Sequence, residues 1–158
     1  MPVLSPPPAK VTMPAVYCHR HEVQEADIDR NGHVNNLRYL QWCVDAAVAH
    51  SAAQGWDRDR YLQSGGSWVV RSHQIEYLAP CFAGQRIIVA TWVAGFRRIR
   101  SLRKYRLLRA DDRQLVATAE TWWAYVAIPS MAPRRVPADL MNAFELVADE
   151  PPLDEHVW

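Results

Sequence analysis

Residues 27–39 read Asp-Ile-Asp-Arg-Asn-Gly-His-Val-Asn-Asn-Leu-Arg-Tyr. Within eight of these positions stand a carboxylate (Asp29), an amide (Asn31), an imidazole (His33) and Asn36, at the start of an expected helix. A carboxylate or imidazole activates water or attacks directly. Free N–H groups and the positive end of a helix dipole stabilise a developing oxyanion. The combination suits hydrolysis of an activated acyl group. Each residue also has a plainer role open to it. Asp29 and Asn31 suit Asx turns, Gly32 a positive φ, Asn36 a helix cap, and His33 a packed imidazole.

These residues need elements to position them. A first strand is expected near residues 18–25, followed by the turn chemistry of the motif. A helix is expected over 36–54, where Leu37, Leu40, Val44, Ala47 and Val48 recur at three- and four-residue spacing and predict the face that packs. Asn35 or Asn36 caps its start, and Gly55 ends it. A short helical piece is expected at 57–63. Runs rich in Val, Ile, Trp, Tyr and Thr at 68–78, 86–94, 102–109 and 115–127 predict four more strands. Gly84-Gln85, Gly95-Phe96 and Asp111-Asp112-Arg113 separate them, the last as a hairpin. Pro137 opens a final helix over about 138–146. One long helix against an antiparallel sheet of about five strands is the economical α+β packing. It leaves the other sheet face to be covered, which predicts a homodimer or homotetramer.

The motif in 27–39 resembles the signature of hot-dog fold thioesterases. Its Asp-x-Asp…Gly…Tyr pattern is similar to the 4-hydroxybenzoyl-CoA thioesterase type, and Asp-x-Asn-x-His-Val-Asn-Asn-x-x-Tyr to plant acyl-carrier-protein thioesterases. Residues 75–80, Ile-Glu-Tyr-Leu-Ala-Pro, extend the resemblance. It implies a hot-dog fold and thioester hydrolysis. Asp29 then corresponds to the catalytic carboxylate, as general base or nucleophile. Asn31 and His33 correspond to the plant enzymes' catalytic pair, and Asn36 to the backbone donor that polarises the thioester carbonyl. In one place the sequence departs. The plant enzymes carry a Glu beside a Cys on the following strand, and Pro80 precedes Cys81 here. That favours a single-Asp scheme unless Glu76 substitutes. Cys81 is read as a structural thiol in preference to a nucleophile.

Seven of the thirteen positions 97–109 are basic. Given a thioester substrate, Arg97, Arg98 and Arg100 are candidates for the phosphates of coenzyme A. The alternative is a solvated strand face, since Lys104 and Arg106 alternate with Tyr105 and Leu107. The substrate expected is therefore acyl-CoA in preference to acyl carrier protein, with no cofactor.

Composition excludes several classes. The formal net charge is +1, with no Lys or Arg after Arg135, so nothing points to nucleic acid. Three widely spaced cysteines form neither a disulfide framework nor a zinc knuckle. His19 and His21 share a strand face but lack a third ligand at suitable spacing, so no metal is expected. No apolar run is long enough to span a membrane, and a cytoplasmic location is the default. Residues 1–14 and 149–158 are expected as tails around one domain, 15–148. Two rivals remain open: a hot-dog hydratase or dehydratase, whose usual Asn-Pro-x-His or His-Phe-Pro-Gly stretches are absent, and a non-catalytic acyl-binding protein.

Overall fold

A computed structural model describes residues 15–151. The expected tail at 1–14, and all of the expected tail 149–158 beyond residue 151, lie outside the described residues. Strand β1 is Tyr17–Glu22, followed by a 3-10 turn at Glu25–Asp27. Helix α1 is Asn36–Ala53 and α2 is Arg58–Ser64. Strands β2 (Gly66–Tyr77), β3 (Arg86–Arg97), β4 (Arg100–Arg109) and β5 (Gln114–Ala127) follow, and α3 is Ala138–Asn142. The five strands form one antiparallel sheet in the order β1-β3-β4-β5-β2. β1 and β2 are therefore its two edges. The chain between them, α1 included, must cross the sheet face, which is the hot-dog arrangement.

The caps form as their residue types dictate. Asn35 Oδ1 accepts from Leu37 N–H at 2.9 Å, Asp57 Oδ1 from Arg60 N–H at 2.9 Å, and Gly55 takes φ 90° just past α1. β4 and β5 form the expected hairpin. The link between β3 and β4 differs from expectation. Gly95-Phe96 does not end β3; the strand continues through a bulge between Val93 and Gly95, and the chain reverses at Arg98-Ile99. A glycine inside a strand marks a bulge as readily as an end. The last helix is also shorter than expected, ending at Asn142.

The face of α1 requires a correction. Leu37 is 72% exposed and Val48 62%, while Leu40 and Val44 are only half-buried. Of the expected stripe, only Ala47 is in the core. The face on the sheet carries Tyr39, Trp42, Cys43, Ala46 and His50, about half a turn round the helix. Tyr39, Trp42, Cys43 and Ala46 pack on Ile87, Val89, Tyr105, Leu107, Val116 and Ala117, while His50 packs on Tyr17 and Phe144. The helix has two apolar faces, and the aliphatic one points away from its own sheet.

Candidate active site

The motif folds into a loop clamped at its neck. Ile28 and Val34 form an antiparallel bridge, and Asn35 N–H donates to Asp27 C=O at 2.8 Å. Asp29 N–H donates to His33 C=O at 2.9 Å, and Gly32 N–H to Asp29 C=O at 3.0 Å. Gly32 takes φ 84°, which only glycine holds at no steric cost. Val34 N–H donates to Cys81 C=O at 2.9 Å, and Tyr77 Oη donates to Asn36 C=O at 2.7 Å, tying the loop to the segment after β2 and to β2 itself.

Two carboxylates stand two positions apart with opposite environments. Asp27 is buried. Its Oδ2 accepts Gln24 N–H at 2.9 Å and meets His21 Nε2 at 3.1 Å, while Oδ1 lies 3.5 Å from Arg38 Nε. Burial pushes its carboxyl upward, but the Gln24 N–H, His21 and Arg38 outweigh that and hold it below the usual carboxylate range. His21 also packs against Trp42, with ring centroids 4.7 Å apart. Asp27, His21 and Arg38 thus form a structural anchor between β1, the loop and α1. The sequence reading placed His21 on a strand face without assigning it this carboxylate partner.

Asp29 is partly exposed. Its Oδ1 accepts the Asn31 backbone N–H at 2.8 Å, an Asx turn, and its Oδ2 accepts nothing among the described residues. His33 Nδ1 is 3.9 Å from Asp29 Oδ1 and 3.3 Å from Val34 C=O. The side chain of Asn31 is exposed and makes no hydrogen bond among the described residues; its backbone shapes the loop. Asn36 is the first residue of α1, and its backbone N–H has no acceptor among the described residues. The loop therefore presents one free carboxylate oxygen, a half-exposed imidazole and a free helix-start N–H.

Other expectations separate from this cluster. Cys81 is fully buried, and burial raises its thiol above the ordinary value, so it is not a poised nucleophile. Glu76 is exposed on β2. Arg97, Arg98 and Arg100 are exposed at the β3–β4 turn, with Arg97 5.5 Å over the Trp122 ring. β3 begins at Arg86, beside the end of β1, and the motif loop follows β1. The arginines thus lie a whole strand away, roughly 35 Å. One chain does not bring them to Asp29. No metal-binding cluster of His, Cys, Asp and Glu occurs among the described residues, and no helix there is long and apolar enough to cross a membrane.

A second group escaped the sequence reading. Arg103 on β4 is 6% exposed. Its Nη1 donates to His50 Nδ1 at 2.9 Å and to Thr91 Oγ1 at 3.2 Å. Its phase with Tyr105 and Leu107, both inward, was the available signal. Burial first, and then the Arg103 charge, push His50 down to about 3, so this imidazole stays neutral.

The model of the thioesterase-like superfamily matches residues 23–144. The chain is 31% identical over 140 residues to L-carnitine dehydrogenase/betainyl-CoA thioesterase of Agrobacterium fabrum, covering 87% of this chain and 28% of that protein. It is 24% identical over 128 residues to 1,4-dihydroxy-2-naphthoyl-CoA hydrolase of Synechocystis, covering 80% of this chain and 93% of that protein. The crystal structure of Slr0204, a 1,4-dihydroxy-2-naphthoyl-CoA thioesterase from Synechocystis, matches with a TM-score of 0.74 at 22% identity, over 81% of this chain and 94% of that chain. The chain thus spans little more than a quarter of the Agrobacterium relative and nearly all of the two Synechocystis ones. With its motif loop, its sheet order and a family match running from Val23 to Phe144, this chain belongs to the thioesterase-like superfamily.

Proposed function

We propose that the chain hydrolyses an acyl-CoA thioester to a free acid and CoA, with Asp29 as the catalytic carboxylate. The observation that carries this is the free Oδ2 of Asp29 in the loop that leads into the unoccupied N–H of Asn36. As a base, Asp29 takes a proton from water. The water oxygen bonds to the thioester carbon, and the carbonyl electrons move onto the oxygen facing Asn36 N–H. Collapse breaks the C–S bond, and the thiolate takes up a proton. As a nucleophile, Asp29 bonds to the same carbon, the C–S bond breaks and the thiolate takes up a proton, and water then opens the resulting anhydride to the free acid and Asp29. His33 supplies or relays the proton to the thiolate, and Asn31 orients water. Relatives named for CoA thioesters support the reading. Acyl carrier protein is the second carrier to test, given a plant acyl-carrier-protein thioesterase among the relatives.

The active form is proposed to be a homodimer or homotetramer, acting in the cytoplasm. The Leu37, Leu40, Val44 and Val48 stripe leaves α1 with an apolar face that the described residues cover only in part, and Val70 and Tyr77 are exposed on the edge strand β2. Assembly would also resolve the position of the arginines, since a nucleotide reaching them would lie on the other subunit. The test is release of thiol from short, long and aromatic acyl-CoAs, with double-bond loss from an enoyl-CoA followed in parallel. Thiol release supports hydrolysis. Hydration without thiol release replaces it with the hydratase reading, and binding without turnover replaces it with an acyl-binding role.

A further inference from the structure

A cavity of about 490 Å³ opens between the second half of α1, α2 and the sheet, within the size range of small-molecule sites. Its walls include Trp56, Tyr61, Trp68, Phe96 and Phe144, and Arg103 is part of its lining. Aromatic walls alone favour an apolar or even a cationic guest. Arg103 changes that. Among the described residues its only hydrogen bonds run through Nη1, to His50 and Thr91, leaving the Nη2 and Nε hydrogens unspent. It makes no ion pair there, while seven other pairs, from His21–Asp27 to Arg109–Asp112, are formed. Asp57 is the cavity's one carboxylate residue among the described residues, and its Oδ1 caps α2 through Arg60 N–H. His50, the nearest partner, accepts as a neutral ring and returns no charge. A buried guanidinium with no counter-ion is costly, and an arriving carboxylate removes the cost. Guanidinium and carboxylate also match as a two-pronged pair.

We propose that this cavity takes an apolar group ending in a carboxylate, paired with Arg103. The substrate class is then a thioester whose acyl group bears a second, distal carboxylate. Ala47 and Ser51, in the cavity lining, lie about 16 to 22 Å along α1 from Asn36. What binds here is the far end of the acyl group and not its carbonyl. The substrate class rests on the thioesterase reading; recognition of the carboxylate does not.

The probes are octanoate, octanol and octyltrimethylammonium, measured by calorimetry on the full chain, and, in the thiol-release assay, hexadecanedioyl-CoA, long enough to run from Asn36 to Arg103, against hexadecanoyl-CoA. Octanoate is expected to bind about tenfold to a hundredfold tighter than octanol, the range for a hydrogen bond to a charged group. Arg103→Met should erase that preference while leaving octanol within about twofold, a margin too small to count as a lost polar contact. Hexadecanedioyl-CoA should show the lower KM of the two, and Arg103→Met should raise it with kcat little changed. Should Arg103→Met not fold, Leu62→Glu decides. Leu62 lines the cavity and is exposed, and the added charge should weaken octanoate but not octanol. Equal binding of octanoate and octanol overturns the proposal, as does tighter binding of octyltrimethylammonium, or octanoate binding unchanged in the variant that folds. Octanoate binding that depends on Arg103 without any thiol release would retain the carboxylate site and remove the thioesterase reading. Thiol release without octanoate preference would do the reverse.

Discussion

His50 gives the protein an acid sensitivity whose size follows from its surroundings. The ring is buried, stacks on Tyr17 at 5.3 Å and meets Phe144 edge-on at 5.1 Å, and its Nδ1 is occupied by Arg103 Nη1–H. In the unfolded chain it titrates near 6.5; in the fold it is pushed down to about 3. The unfolded state therefore binds a proton that the folded state refuses. The associated stability is complete above 6.5 and is lost as pH falls toward 3. At about 1.36 kcal/mol per unit, the loss is on the order of 3 kcal/mol by about pH 4.5. His50→Asn isolates it, because the Asn carbonyl oxygen sits where Nδ1 was and still accepts from Arg103, yet cannot titrate. Losing the ring contacts should cost about 1–2 kcal/mol at neutral pH. In exchange, the variant should lose about 3 kcal/mol less than wild type between neutral pH and about pH 4.5. Urea unfolding at a fixed protein concentration measures both. Carboxylates such as Asp27 titrate alike in the two proteins and cancel in the difference. Parallel losses of stability in wild type and His50→Asn would refute the neutral, Arg103-bound imidazole.

Asp29→Asn should lower thiol release by about a hundredfold or more, since the amide keeps the turn but not the base; a rate within about twofold of wild type removes Asp29 from the chemistry. Asp27→Asn should act on stability instead, costing about 1–3 kcal/mol in urea unfolding through the lost His21 and Arg38 contacts, and a variant as stable as wild type would contradict the anchor role. Leu37→Glu with Val48→Glu should convert an oligomer to an 18 kDa-class monomer in sedimentation, with far-ultraviolet circular dichroism unchanged; an unaltered assembly moves the interface away from α1. Replacing Arg97, Arg98 and Arg100 by Gln should raise KM for acyl-CoA and leave a truncated thioester lacking the nucleotide untouched, with the effect shrinking in salt. Equal losses on both substrates would mean that the arginines hold fold or assembly.

The motif loop was legible because its chemistry is local. Asp, Asn and Gly dictate a turn, and a helix after Asn35 dictates a free N–H at Asn36, whatever the rest of the chain does. Strand order is not local, yet five β-rich runs around one helix leave few alternatives. The α1 face was misread because aliphatic spacing identifies an apolar stripe without naming its partner. Tyr39, Trp42, Cys43, Ala46 and His50 make a second stripe, and the volume and polarisable surface of the aromatic residues suit them to the sheet. Leu37 and Val48 remain for contacts a single sequence does not reveal. The pairing of Arg103 with His50 was illegible for a different reason. The two are 53 residues apart, and a basic residue in a basic run reads as solvated until its phase with Tyr105 and Leu107 is followed inward.

The two carboxylates of the motif divide its work by where their oxygens point. Asp27 spends both oxygens on Gln24 N–H, His21 and Arg38, so the backbone before and after it cannot drift, and no lone pair of consequence is left for a substrate. Asp29 is held through Oδ1 by the N–H of Asn31, and its Oδ2 makes no hydrogen bond among the described residues. The bridge between Ile28 and Val34 closes the loop that carries Asp29 into α1, and Gly32 within it takes φ 84°, which a side chain would strain. Rigid placement of a base and an oxyanion donor is what accelerates acyl chemistry, because neither has to be ordered when charge develops. The Asp-x-Asp spacing thus puts an anchoring carboxylate and a partly exposed one in the same loop. On the proposed role of Asp29, the first carboxylate anchors the loop while the second, partly exposed and bonded through one oxygen, keeps the other for reaction.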